Sequence, residues 1–286
     1  MPPDKYNAVW VSHSSISDFL QCRRAYFLKN IYRDPKTNHK IKIMTPPLAL
    51  GAAVHNVIDE ISHLPVAQRI TMSLMDRFDG TWEKFAGKRG GFLDKDTESK
   101  FKEKGREMIN RIAKNPGPIV KKAVKIKGNL PYYWLSEEEN IILCGKIDWL
   151  EYIEKDDGVH IIDFKTSKYD ESPDSLQLPI YYLLAKNCQP RNVTGASYWY
   201  LQRNDKLTSV TLPDEYEAYE RVLEIAREIK AARQLEKFTC EHGGCKYCQS
   251  YELVLDGKTE FVYTDSYNAD IHILPQTTDS DTSKIL

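Results

Sequence analysis

The feature that most constrains this chain is a change of period. Up to about residue 115 its apolar residues recur at helical spacing. Two segments rich in Ile and Val then follow, ENIILCGKIDWLEYI and GVHIIDFKT, joined by the turn-like EKDDG. They read as paired strands of a central sheet. Acidic residues sit at their ends. Asp148 lies on one strand, and Asp163 and Lys165 lie two apart on the next, so that the last two face one side. An unpaired charge is costly to bury in a strand as apolar as IIDFKT. Two carboxylates and an amine converging on one point therefore predict chemistry, whereas the competing reading makes them a surface ion pair.

Helices surround this pair. Ser15 to about Asn30 reads as a first helix, opened by the capping pattern Ser15-x-x-Asp18. Residues 33–47 read as an exposed loop, and Leu50 to about Ile61 as a second helix with His55 and Asp59 four apart on one face. Patterns through Leu74, Phe78 and Trp82, and through Phe101, Met108 and Ile112, predict a helical insert over about 66–115. After the strand pair come a helix over Ser175–Asn187, strands at 195–202 and 207–212, and a helix over about 214–236. That order predicts an α/β (α+β) core with a central mixed sheet flanked by helices. One domain over 1–263 is expected, with YELVLDGKTEFVY as a hairpin around Asp256 and Gly257, and 264–286 as a flexible tail.

Composition narrows the class. At 286 residues and 41% hydrophobic the chain can bury a substantial core. No apolar run approaches the roughly 20 residues that span a bilayer, and MPPDKYNAVW lacks the basic and apolar regions of a leader. A cytoplasmic protein with no membrane partner is expected. The net charge of -1 does not advertise nucleic-acid binding. Basic stretches at Lys100, Lys102, Lys104 and Arg106, and at Lys121, Lys122, Lys125 and Lys127, read first as solvated faces.

Four short patterns occur in one order: Gly51-Ala-Ala-Val-His55, Gly145-Lys-Ile-Asp148, Asp163-Phe-Lys165 and Gln177-Leu-Pro-Ile-Tyr181. In them the chain resembles the RecB-type PD-(D/E)XK nuclease family, which includes the nuclease domains of bacterial helicase-nucleases and the iron-sulfur exonucleases of CRISPR adaptation. The resemblance implies that His55, Asp148 and Asp163 are metal ligands, joined by the backbone carbonyl of Phe164, and that Lys165 is catalytic. Gln177 and Tyr181, one helical turn apart, would shape the site or contact DNA. Pro179 between them requires that helix to begin late or bend. Carboxylates suit Mg²⁺ or Mn²⁺, and an imidazole ligand favours stronger activity with Mn²⁺.

Three cysteines within nine positions near the C-terminus, Cys240, Cys245 and Cys248, look like metal ligands rather than a disulfide framework. In the iron-sulfur branch one cysteine precedes the nuclease core and three follow it, which Cys22 and these three repeat, implying a 4Fe-4S cluster and a cysteine-bound lobe built from 15–30 and 237–263. The spacing Cys240-x4-Cys245-x2-Cys248 departs from that branch, whose pattern is C-x2-C and then a longer gap. Zn²⁺ held by the four thiolates, or by three with His242, is the competing reading, and unmetallated reduced thiols a third. Cys144 and Cys188 read as buried small hydrophobes. Tyr181, Tyr198, Trp199 and Tyr200 read as core first and as base-stacking surfaces second.

The function implied is hydrolysis of DNA phosphodiester bonds, from ends of single-stranded or unwound DNA, in repair, recombination or CRISPR adaptation, beside a helicase or integrase-type partner. A non-catalytic DNA-binding or scaffold subunit is the alternative, and a zinc-bound interaction module the third.

Overall fold

The first helical segment is broken where the sequence suggested continuity. In this computed structural model, which describes residues 4–71, 73–128 and 130–275, strand β1 (Val9–Val11) leads into helix α1 (His13–Gln21). A one-turn helix α2 (Arg23–Tyr26) and a π-helical turn over Phe27–Ile31 follow. The cap is Ser12, which exchanges hydrogen bonds with Ser15, and not the expected Ser15 and Asp18. Asp18 instead accepts from Lys29 Nζ at 2.7 Å and Asn30 Nδ2 at 3.1 Å. Cys22 ends α1 in extended backbone, and its sulfur accepts from Ala25 N at the start of α2.

The expected loop over 33–47 contains strand β2 (Lys40–Ile43), followed by α3 (Pro46–Ser62) with prolines in its first turn, α4 (Leu74–Trp82) and α5 (Lys95–Lys114). Strands β3 (Tyr132–Ser136), β4 (Ile141–Cys144), β5 (Trp149–Ile153) and β6 (Gly158–Lys165) come next, then α6 (Gln177–Cys188), β7 (Val193–Tyr200), β8 (Thr208–Val210) and α7 (Glu215–Gln234). Helix α6 begins with Pro179 in its first turn, the late start that proline imposes. The chain closes with α8 (Gln249–Leu255), β9 (Glu260–Thr264) and β10 (Ala269–Ile273).

Two expectations fail at this end. Asp256 and Gly257 do not turn a hairpin. They terminate α8, with Gly257 at φ 69° and Lys258 N donating back to Leu253 O. The tail does not begin at 264, because β10 pairs parallel with β2 and antiparallel with β9, and Asp270, buried on it, accepts from Thr37, Thr264 and His39. Residues 276–286 of that expected tail lie outside the described residues.

The central sheet has the order β5-β6-β7-β8, with β6 and β7 parallel and the outer pairs antiparallel. Residue alternation splits its faces. Ile162, Phe164, Trp149 and Trp199 pack on α3, α4 and α5, so the helical insert covers one face. Leu150, Ile161, Tyr198 and Tyr200 pack on α6, α7 and β1, covering the other. Period-2 alternation puts Asp163 and Lys165 on this second face. The segment ENIILCGKIDWLEYI is not one strand: β4 joins β1 and β3 in a separate sheet, and residues 145–148 cross between the two. Asp148 therefore sits in a connection immediately before β5. No helix among the described residues is long and apolar enough to cross a membrane.

Candidate active site and cysteine centre

Close packing carries the three polar elements to the C-terminal end of β6. A Cβ on Gly51 would stand 3.3 Å from Thr166 Oγ1, so the bare glycine lets α3 lie against the chain leaving β6. A Cβ on Gly145 would stand 2.9 Å from Leu184 Cδ1, so the crossing segment likewise runs against α6. His55 on α3 then points its Nδ1 at Asp148 Oδ2, 3.4 Å away. The same Oδ2 accepts from Phe164 N at 3.1 Å. The ladder between β5 and β6 ends at Trp149 and Ile162, so Asp148 takes the place of a strand partner. The Phe164 carbonyl lies along that same unpaired edge, because one residue's N–H and C=O serve the same neighbour.

Lys165 is held from several sides. Its ammonium stands 3.1 Å from Asp163 Oδ2 and 2.6 Å from Glu171 Oε2, donates to Gln177 Oε1, and lies over the Tyr198 ring. Gln177 completes the arrangement, donating from Nε2 to Asp163 Oδ1 at 2.8 Å and to the Tyr181 hydroxyl at 3.3 Å. Asp163, Lys165, Gln177 and Tyr181 therefore form one connected network, with His55, Asp148 and the Phe164 backbone beside it. Tyr198, Trp199 and Tyr200 are buried within the sheet, in agreement with the core reading.

Burial, with the nearby Asp148 charge adding to it, pushes the Asp163 carboxyl up to about 7 against the pull of Lys165 and His55. Burial works to lower the His55 pKa, yet the Asp148 carboxylate more than offsets it and the net direction is upward. Lys165 behaves likewise: burial lowers it, and Asp163 and Glu171 together raise it by more. Tyr181 is raised well above its usual value by burial and by the two aspartates.

One atom bears on whether a cation fits. Asp163 Oδ2 is buried without a hydrogen bond, since the Lys165 ammonium is close enough to attract it but not aligned to donate. A buried carboxylate oxygen left in that state, under the influence of the Asp148 and His55 charges, is a donor that a hard divalent cation takes. Oxygen and imidazole ligands of this kind suit Mg²⁺ and Mn²⁺.

Glu171 escaped sequence reasoning. It lies in the irregular segment between β6 and α6 with Asp170 and Asp174 as neighbours, and no periodicity distinguishes it. His13, at the start of α1, lines a cavity with Glu171 and Ser175 on the same side of the network. Burial lowers its pKa and Lys165 adds to that shift.

Beyond the C-terminal end of α1, Cys22, Cys240, Cys245 and Cys248 bring their sulfurs within 4.8 Å of one another. Cys245 Sγ and Cys248 Sγ are 3.8 Å apart. Backbone N–H groups of Cys248 and Tyr247 lower the Cys245 thiol to about 6, whereas burial pushes Cys22 up to about 12. Four thiols gathered this way, one already inclined to ionise, are the donor set of a thiolate metal centre. A single tetrahedral ion with bonds of about 2.3 Å holds its sulfurs about 3.8 Å apart. Four irons of a cluster, each taking one thiolate, need the sulfurs further apart. His242 lies beside Cys240 and Cys245 in a neighbouring cavity but not among the four clustered ligands. Cys144 is buried and donates to Val11 O, apart from this group, and Cys188 is half-buried.

A mixed sheet whose parallel strand ends in Asp-x-Lys, with a second aspartate at the adjoining strand start, defines the PD-(D/E)XK class, and the chain belongs to the PD-(D/E)XK nuclease superfamily, whose profile matches residues 10–252. Among curated proteins it is similar to the B subunit of the ATP-dependent helicase/deoxyribonuclease of Clostridium tetani (strain Massachusetts / E88), 29% identical over 184 residues. That match takes in 56% of this chain and 16% of the relative, so the chain spans a small part of that protein's length.

Proposed function

We propose that the chain is a divalent-metal-dependent deoxyribonuclease that hydrolyses phosphodiester bonds from the ends of single-stranded or unwound DNA, with Lys165 as its catalytic amine. The observation that carries this reading is the buried Asp163 Oδ2, left without a hydrogen bond beside Asp148 and His55. His55, Asp148, Asp163 and the Phe164 carbonyl would hold the cation, which supplies Lewis acidity towards the phosphodiester. Lys165 then offers hydrogen bonds to an equatorial oxygen as negative charge builds on it. Gln177 and Glu171 fix the direction of that ammonium, and the Tyr181 hydroxyl holds Gln177 by accepting from its Nε2. The imidazole ligand favours higher activity with Mn²⁺ than with Mg²⁺.

Incubating end-labelled single- and double-stranded DNA with Mn²⁺ or Mg²⁺ tests this. The parent should digest the single strand from its ends, and Asp163→Ala and Lys165→Ala should each lose activity by at least about a hundredfold. Equal digestion by parent and variants contradicts the assignment. Repair, recombination or CRISPR adaptation, with a helicase or integrase-type partner, is the setting such an activity serves.

The cysteine centre admits two readings with different supports. The resemblance to the iron-sulfur branch favours a 4Fe-4S cluster tying the chain ends together, and the 3.8 Å sulfur separation favours a single Zn²⁺. Anaerobic purification separates them: a brown protein absorbing in the visible carries the cluster, and a colourless one with stoichiometric zinc carries the ion.

A further inference from the structure

The two oxygens of Asp163 are used differently. Oδ1 accepts from Gln177 Nε2 at 2.8 Å, whereas Oδ2 is buried without a hydrogen bond, although the Lys165 ammonium stands 3.1 Å from it. The Lys165 side chain is 14% exposed and that of Asp163 3%, so water screens the pair weakly. An ammonium so placed would ordinarily close on the free oxygen and make a charge-assisted hydrogen bond to it. That bond would cap the very atom proposed above as a cation ligand.

Glu171 draws the ammonium elsewhere, with its Oε2 at 2.6 Å. The segment that carries it is fastened to the end of β7. Gln202 Nε2 donates to Thr166 O at 2.7 Å, Arg203 pairs with Asp170, and Glu171 N donates to the Tyr200 hydroxyl at 3.1 Å. Glu171 is thus held in place by contacts that do not involve Lys165. Burial works to raise its pKa, yet Lys165 and the Ser175 hydroxyl more than offset this, and the net direction is downward.

We propose that Glu171 is a positioning residue that holds Lys165 away from Asp163 Oδ2 and so keeps that oxygen free for the divalent cation. Without the Glu171 carboxylate, the ammonium turns to Asp163, and lysine and cation compete for one atom. The inference rests on the cation reading of the site and adds to it an acid that acts on the metal only through Lys165.

Mn²⁺ titrations of the full chain, read by the electron paramagnetic resonance of the free aquo ion, test it, with Asp163→Ala defining the binding due to this site. Glu171→Gln should weaken that binding about tenfold, the cost of displacing one charge-assisted hydrogen bond. Glu171→Asp keeps the charge but falls one methylene short of the ammonium, and should weaken it about threefold. Lys165→Met should tighten it, and adding Glu171→Gln to Lys165→Met should change it by no more than about twofold. A local packing defect, or a plain loss of negative charge, would weaken Mn²⁺ binding equally in both backgrounds. That result overturns the proposal, and so does parental affinity in Glu171→Gln or Glu171→Asp. A parent without Asp163-dependent Mn²⁺ binding contradicts the cation reading itself and the proposal with it, so the two failures register in different measurements.

Discussion

Asp163→Asn is expected to give a protein that no longer cleaves DNA yet melts at a higher temperature than the parent when divalent cations are absent. Loss of activity, by at least about a thousandfold, follows from replacing a charged oxygen at the cation position with an amide. The gain in stability follows from burial. The Asp163 side chain is 3% exposed, and burial together with Asp148 raises its pKa from 3.8 to about 7. A carboxyl raised in this way holds its proton more tightly folded than unfolded. Its contribution is fully present below the unfolded value and is lost as pH climbs through the folded one. Above that point the parent carries a desolvated carboxylate costing on the order of 3 kcal/mol. Asparagine carries no such charge. Melting curves in EDTA should therefore coincide near pH 4 and separate by roughly 6–12 °C near pH 8, with the variant higher. A variant no more stable than the parent at the alkaline end would mean that Asp163 is not desolvated as the geometry requires.

Cys248→Ser carries the other large effect. The variant is expected to lose the bound metal and to melt about 10 °C lower. Cys248 is 1% exposed and gathers with Cys22, which stands more than two hundred positions earlier in the chain. A crosslink closing so long a loop contributes about 5 kcal/mol through the unfolded chain. Without the metal, the turn at Cys22 and helix α8 keep the partly exposed Arg24–Glu252 pair, which adds little, and a small apolar cluster with Leu28 and Tyr251. Cys144→Ser should keep the metal, because that sulfur bonds to Val11 O and takes no part in the cluster. Elemental analysis beside calorimetry reads both outcomes, and full metal content in Cys248→Ser would remove the four-thiolate centre.

Most of the candidate site was legible because those residues lie in regular elements. Asp163 and Lys165 declare their shared face through period-2 alternation in an apolar strand, and Gln177 and Tyr181 declare theirs by spacing on a helix. Asp148 was readable as a residue but not as a place. The apolar run around it conceals a crossing between two sheets, one joining β4 to β1 and β3 and the other joining β5 to β6. Glu171 was illegible because no pattern in an irregular loop marks which of several acids will meet an ammonium. At the C-terminus the misreading had one cause: a glycine at positive φ serves a hairpin turn and a helix end equally well, and Gly257 does the second. Strand β2 was hidden in a Lys-rich stretch because its partner β10 lies more than two hundred residues away in sequence.

The central claim, that His55, Asp148 and Asp163 hold a divalent cation beside Lys165, is tested most directly by anomalous diffraction at the manganese edge from crystals grown with Mn²⁺. A peak within bonding distance of both carboxylates and the imidazole is the predicted result. Manganese bound elsewhere, with that position empty at saturating Mn²⁺, would contradict it.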